Sequence, residues 1–332
     1  MTKIVLTRSM LAGDIRYICD GLDREVAGKY EFIVPEGYTE EALLPHMKGA
    51  NVLLGPYVTH GLLEAADQLQ LIQIPWTGMD TFDFSQVQNC QVPVCNTHSN
   101  ADAVAELGVA LALDLLKKLS YHDRKMRAGN WNRDQQPLNL KSGLLSKQTV
   151  CVLGFGNIGS RIGALMHAFG AKVIAVDDRA QHRDWMEAVY PNAQIAEAVA
   201  GADVIMCTLP LTEETRGRIG KALLERVKPT AILVNMSRAP IVDEDALWDA
   251  LTQNRLAGFA ADVWWNAPKR GETQSYPSAK HEFWKLDQVT LSPHRAGFVE
   301  GCLPHLDGAI ENIIALIQNK PLKYLVDVTK GF

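Results

Sequence analysis

The chain has 332 residues, which at roughly 150 residues per domain is room for two domains. Hydrophobic residues make up 47% and charged residues 21%, which excludes a disordered chain. With 33 basic against 38 acidic residues, a net charge of −5 and no basic run, nucleic acid and anionic membranes are excluded as principal partners.

Short apolar runs at 3–6, 32–34, 52–54 and 71–74 read as strands, with helical patterns such as 39–47 and 61–66 between them. That alternation predicts a parallel α/β sheet. No glycine fingerprint occurs there. A long helical segment, 101–119, follows. It is the most apolar stretch of the chain, but Asp102, Glu106 and Asp114 interrupt it. A membrane span needs about 20 mostly apolar residues. Residues 129–148, with Pro137 and Gly143, read as a connecting loop. Six further strand candidates then appear at 150–153, 173–176, 204–207, 231–234, 256–261 and 289–291, mostly separated by helical patterns. Such a series suits a Rossmann sheet. The last amphipathic stretch, 304–317, lies beyond the sixth and is placed to pack back on the first domain. The expected fold class is therefore α/β, with two domains on parallel sheets.

The first residues carry only the short apolar run 4–6 and no signal-peptide core. The six cysteines, Cys19, Cys90, Cys95, Cys151, Cys207 and Cys302, are scattered, with no CxxC pair and no metal-ligand spacing. They read as free thiols of a soluble, cytoplasmic protein without a metal.

The strongest motif is Gly154-Phe155-Gly156-Asn157-Ile158-Gly159, a GxGxxG directly after an apolar strand and directly before a helical pattern. Gly154 permits the tight turn, Gly156 lets a pyrophosphate approach the backbone, and Gly159 allows close helix–strand packing. The helix N-terminus then offers free N–H groups to the phosphates. The next strand ends in Asp177-Asp178-Arg179, and Asp177 lies 18 positions after Gly159. A ribose-binding acid is expected at about 20. A carboxylate there would repel a 2′-phosphate, so NAD is favoured over NADP. Arg179 is the counter-signal, since a nearby arginine can hold that phosphate.

Ligands of an open α/β sheet bind beyond the carboxyl ends of its strands. Beyond 204–207 comes Thr208-Leu209-Pro210, a segment able to lie along the cofactor. Beyond the next three strands come Asn235-Met236-Ser237-Arg238, then Asp262, then Ser292-Pro293-His294-Arg295-Ala296-Gly297. Arg238, Asp262 and His294 are thus delivered to one edge. Hydride transfer at a carbonyl needs a cation for the substrate carboxylate and an acid–base group for the carbonyl oxygen. Arginine binds a carboxylate through two parallel hydrogen bonds. Histidine titrates near neutral pH and can move the proton.

These residues resemble the D-isomer-specific 2-hydroxyacid dehydrogenase family. The arginine segment 235–247, the segment 257–263 ending at Asp262, the histidine segment 292–297 and the hinge 96–106 all match its pattern. The resemblance implies a flavodoxin-like substrate domain from residues 1–99 and 299–332, an NAD-binding Rossmann domain from 100–298, and an active site in the cleft between them. It implies that the 101–119 helix is interdomain and builds a homodimer. It also implies a substrate loop at Trp76-Thr77-Gly78-Met79-Asp80 lending N–H groups to the carboxylate. Arg238 would bind carboxylate and carbonyl, and His294 would be the acid–base. Met236, Ser237, Asp262 and His294 would also face the cofactor. Partners would be a small 2-oxo or 2-hydroxy acid, glyoxylate or hydroxypyruvate in type.

One position departs from the pattern. Most members carry a glutamate five positions after the matching aspartate, paired with the histidine; here it is Ala267, before Pro268. A carboxylate partner raises an imidazole pKa, and each unit is about 1.4 kcal/mol. Without it, His294 should protonate less readily, unless Glu272 or Glu282 substitutes. Formate dehydrogenases of the same superfamily use glutamine there, and Asp262-Val263-Trp264-Trp265 resembles their segment. Asn100 falls at their substrate-binding asparagine, or is a plain helix N-cap. The chain lacks the N-terminal extension common in that branch. Formate chemistry therefore stands as one alternative, and a weakened NAD(H)-sensing protein as another. Trp264, Trp265, Tyr276, Phe283 and Trp284 either line the substrate cleft or pack as a surface loop or dimer contact.

Overall fold

The computed structural model describes residues 1–131, 142–268 and 272–331; Pro137 of the expected loop lies outside them, as do residues 269–271 of the aromatic stretch. Two compact units form: Met1–Asn100 with Gly297–Phe332, and Ala101–Ala296.

The first unit carries strands β1 (Thr2–Leu6), β2 (Tyr30–Ile33), β3 (Val52–Leu54), β4 (Leu71–Gln73) and β5 (Val94–Cys95). They form a parallel sheet in the order β2-β1-β3-β4-β5. Such an order reverses direction between β1 and β3, as in flavodoxin-like sheets. β3 and β4 are buried along their whole length, which explains their unbroken apolar runs. Helix α1 (Ala12–Val26) buries Ile18, Leu22 and Val26, four residues apart on one face. Helices α2 (Glu40–Met47) and α3 (His60–Ala65) start at Thr39 and Thr59, whose hydroxyls accept the N–H groups of Ala42 and Leu62. The C-terminal helix Pro304–Ile317 joins the same core through Leu306, Ile310 and Ile313. Its buried Asn312 donates to the Gln73 side chain at 2.9 Å, while Gln73 donates to the Asn96 carbonyl at 3.0 Å. A polar cross-link so fully satisfied fixes the helix on β4 without an unpaired group.

The second unit holds β6 (Thr149–Leu153), β7 (Lys172–Val176), β8 (Ala188–Tyr190), β9 (Val204–Cys207), β10 (Ile232–Asn235), β11 (Gly258–Ala261) and β12 (Val289–Leu291). All pairs are parallel, in the order β8-β7-β6-β9-β10-β11-β12. Six of these strands fall on the expected segments; the half-buried edge strand β8 is additional. Helices α4 (Ala101–Lys117), α5 (Leu119–Arg127), α6 (Asn157–Ala168), α7 (Ile195–Ala200), α8 (Lys221–Leu224) and α9 (Glu244–Thr252) belong to this unit. The single helix expected over 101–119 is two. Lys118 takes a left-handed φ of 55°, and the Asp114 carboxylate accepts the Ser120 N–H at 2.7 Å. Helix α4 buries Val104, Ala105, Gly108, Val109, Ala112 and Leu115. A Cβ at Gly108 would come 3.1–3.2 Å from Met236 and Ile162, so glycine sets how closely α4 approaches α6 and the sheet.

All six cysteines are free. Burial pushes the Cys95, Cys151 and Cys207 thiols up to about 12, which keeps them inert near neutral pH. Among the described residues no helix is long and apolar enough to cross a membrane.

Candidate active site

The sheet order of the second unit reverses between β6 and β9, and the glycine loop sits at that point. Gly154 has φ +82°, and a Cβ there would lie 3.0 Å from the Thr208 carbonyl oxygen and 3.1 Å from the Leu209 nitrogen. A Cβ on Gly159 would run into the Gly154 carbonyl. Nothing lies within 4 Å of the Cβ position of Gly156, the residue that caps α6. That open side, beside two positions where only glycine fits, is where a pyrophosphate can reach the backbone. The first α6 bond runs from the Ser160 N–H to the Gly156 carbonyl at 2.9 Å. The N–H groups of Asn157, Ile158 and Gly159 therefore lie ahead of it, at the positive end of the helix. The Thr208 hydroxyl donates to the Gly154 carbonyl at 2.6 Å and locks the turn.

Asp177 ends β7. Its carboxylate accepts the Phe155 N–H and the Arg179 N–H, each at 2.8 Å. The acid is thereby anchored to the glycine loop, and each oxygen retains room for a ribose hydroxyl. Arg183 stacks 5.5 Å above the Phe155 ring and 5.7 Å above Trp185. The donors and open space on this edge fit a dinucleotide.

Asn235, the last residue of β10, is fully buried. Its side chain accepts the Ser237 N–H at 3.0 Å and donates to the Arg238 carbonyl at 3.1 Å. The Ser237 hydroxyl donates to the Leu209 carbonyl, and the Met236 N–H donates to the Cys207 carbonyl at 3.0 Å. The Thr215 hydroxyl donates to the Pro210 carbonyl at 2.6 Å. These bonds tie the ends of β9 and β10 together and start a 3-10 turn, Ala239–Ile241, with half-buried Arg238 at its head. The Arg238 Nη1 donates to the Ser237 carbonyl at 3.0 Å.

Asp262, at the end of β11, is 3% exposed. Its carboxylate accepts the Ser292 hydroxyl and the N–H groups of Arg295 and Ala296, the last two at 2.9 Å. It thus grips the loop that carries His294. His294 itself is exposed and holds a left-handed φ of 55°. Such a conformation carries about 1–2 kcal/mol of strain in a non-glycine residue. The Trp264 indole N–H donates to the Ser292 carbonyl at 2.9 Å. Ala267 carries no side-chain acceptor, and the Glu282 carboxylate pairs with Lys285 at 2.7 Å.

The aromatic stretch packs against the core of the sheet through Trp264, Trp265 and Phe283. Phe283 is fully buried and stacks on Trp265, with ring centroids 5.4 Å apart. Trp265 donates to the Val242 carbonyl at 3.3 Å, and Trp264 meets Phe259 edge-on at 5.7 Å. Of the two roles open from sequence, packing holds for Trp265 and Phe283, which are tied into the sheet. Tyr276 and Trp284 stack on each other at 4.2 Å.

The predicted substrate residues of the first unit form one cluster beyond β4 and β5. The Asn96 side chain donates to the Thr77 carbonyl at 2.8 Å, and the Thr97 N–H to the Trp76 carbonyl at 3.3 Å. The Thr77 hydroxyl donates to the Asn100 side chain at 2.9 Å, beside Gly78. Arg8 stacks 4.5 Å above Trp76.

A sequence profile described as "D-isomer specific 2-hydroxyacid dehydrogenase, NAD binding domain" matches residues 109–296. The chain belongs to this family. It is therefore an oxidoreductase that acts on the CH–OH group of 2-hydroxy acids with a nicotinamide cofactor. Among its relatives, a glyoxylate reductase of Thermofilum pendens is 29% identical over 298 residues, which covers 87% of this chain and 85% of that protein. Two solved structures share the fold. One, from Xanthobacter autotrophicus Py2 in complex with NADPH and MES, has TM-score 0.80 and 21% identity, covering 100% of this chain and 99% of that one. The other, the NAD-complexed enzyme of Lactobacillus delbrueckii, has TM-score 0.78 and 23% identity, covering 98% and 100%.

Asn235, Ser292 and Trp264 emerge from the structure as the scaffold of the dehydrogenase's arginine and histidine loops. A buried asparagine closing an apolar strand was the one sequence signal available for the first.

Proposed function

We propose that this dehydrogenase reduces a small 2-oxo acid of the glyoxylate or hydroxypyruvate type, or oxidises the matching D-2-hydroxy acid. The carrying observation is that adjacent strands β10, β11 and β12 end in Arg238, Asp262 and the His294 loop, on the same sheet edge as the glycine loop. The nicotinamide, when bound, supplies or accepts the hydride. The Arg238 guanidinium holds the substrate carboxylate by paired hydrogen bonds and draws electron density toward the C2 oxygen. His294 gives a proton to that oxygen in reduction and takes it in oxidation. Trp76, Thr77, Gly78 and Asn100 contribute further substrate contacts.

Asp177 favours NAD over NADP, because its carboxylate accepts ribose hydroxyls and repels a 2′-phosphate. In Asp177→Asn the charge goes, and the amide can accept only one of the two backbone N–H groups that the carboxylate holds. NADH should then bind roughly tenfold more weakly, the worth of one charge-assisted bond, while NADPH binds no worse than before. Fluorescence titration of both cofactors measures this. Equal losses for NADH and NADPH would count against the assignment.

The dehydrogenase works in the cytoplasm, where its six free thiols stay reduced. It self-associates as a homodimer through the 101–119 region, where Leu119 is exposed and beside which Met126 and Trp131 are exposed. Sedimentation at micromolar concentration distinguishes a dimer from a monomer.

The function is tested by NADH absorbance decay with glyoxylate, hydroxypyruvate, pyruvate and longer 2-oxo acids, alongside formate with NAD. Turnover of a 2-oxo acid, with none of formate, is expected. Ala267 supports formate oxidation as the second reading, since that reaction needs no proton relay. Formate turnover alone would establish it, and cofactor binding without any turnover would leave a sensing protein.

A further inference from the structure

We propose that Trp264 is a positioning residue for His294, acting with Asp262 through the main chain of the 292–296 loop. The proposal rests on the reading that His294 moves the proton. A left-handed histidine on an exposed loop persists only where its flanks over-determine it. Here every flank is held. The Ser292 N–H donates to the Ala261 carbonyl at 3.0 Å, continuing the sheet by one residue. The Ser292 hydroxyl and the Arg295 and Ala296 N–H groups converge on the Asp262 carboxylate. Bonds to a buried carboxylate are about twice as strong as neutral ones. On the remaining side, the Trp264 indole N–H takes the Ser292 carbonyl. That carbonyl lies two residues before His294, so this bond, with those to Ala261 and Asp262, fixes the peptide through which the chain enters the left-handed turn.

Trp264 is suited to the task because its ring cannot drift. It meets the fully buried Phe259 edge-on and lies 6.2 Å from Trp265, at 70°. Its N–H is therefore presented from the core of the sheet rather than from solvent. Trp265 supplies an internal control. It is the next residue and also donates through its indole, but to the Val242 carbonyl and not to the histidine loop.

The test compares wild type, Trp264→Phe and Trp265→Phe, using the full chain and the best 2-oxo acid of the panel. Trp264→Phe keeps an aromatic ring but removes the indole donor together with part of the ring volume, a loss of volume that Trp265→Phe shares and so controls for. Its kcat should fall about tenfold, or about 1.4 kcal/mol. KM for NADH should stay within about twofold, and the solvent deuterium isotope effect on kcat should rise as proton transfer becomes more limiting. In cofactor-free protein, amide exchange at Arg295 and Ala296 should speed about fivefold, reporting the loosened loop without any turnover. Trp265→Phe should keep kcat within twofold and leave that exchange unchanged. Unchanged kcat and unchanged exchange in Trp264→Phe would overturn the proposal. So would a lower kcat with an unaltered isotope effect, which marks a smaller folded fraction. Absence of wild-type turnover on every 2-oxo acid would overturn the functional reading instead, and the role of His294 with it.

Discussion

Arg238→Ala is expected to lower kcat/KM for 2-oxo acids by roughly 10²–10³-fold, the range for removing one donor to a developing oxyanion. The loss should appear in both parameters. KM rises because the carboxylate loses its paired hydrogen bonds, and kcat falls because the C2 oxygen loses a cation as charge builds on it. The fold should be unaffected. Asn235 holds position 238 by its main-chain carbonyl, and alanine keeps that group. Arg238→Lys restores the charge without the planar fork and should recover only part of the activity. Steady-state kinetics with parallel NADH titration check this. Turnover within twofold of wild type, with intact NADH binding, would remove Arg238 from the reaction.

Phe283→Ala is expected to destabilise the second unit by about 3–5 kcal/mol, as for other fully buried aromatics cut to alanine. For a unit of this size that is a fall in Tm of about 6–20 °C. The ring stacks on Trp265 and meets Trp248 edge-on at 5.4 Å. It thereby pins a long excursion between β11 and β12 to α9. The same excursion is tied down by polar bonds at its margin. Ser278 donates to Glu244, while Lys280 and His281 lie 3.1 and 2.7 Å from Asp245. Those exposed pairs are individually weak, so the aromatic core carries the attachment. Differential scanning calorimetry measures the shift. A solvent-facing lid would instead change stability by no more than about 0.5 kcal/mol.

The glycine loop was legible because its constraints are local: strand, turn and helix start are consecutive in sequence. The ends of β9 to β12 were legible for a related reason. Parallel strands read as short apolar runs, and the polar residues beyond them stand out. What escaped had weak local signals. β5 has two residues, and β8 is a half-buried edge strand. Helix α5 buries no residue and is strongly polar, so it does not stand out as an element of the core. Helix α1 did carry its 18, 22, 26 spacing, but its N-cap residue, Leu11, has no capping side chain. At the site, the residue types of Arg238 and His294 announce their chemistry. The support beneath them does not, because bonds such as Trp264 to Ser292 and Asp262 to Ala296 join residues 28 and 34 positions apart. The aromatic stretch was ambiguous for the same reason, since composition alone does not distinguish a packed ring from one that lines a pocket.

The most direct measurement is the fate of deuterium from [4-²H]NADH, in each of its two stereochemical forms, during reduction of glyoxylate or hydroxypyruvate. One form should transfer its deuterium to C2 of the product, read by mass spectrometry, and Arg238→Ala should slow the appearance of labelled product by roughly 10²–10³-fold. Saturating NADH binding with no deuterium at C2 of any 2-oxo acid would contradict the proposed reduction.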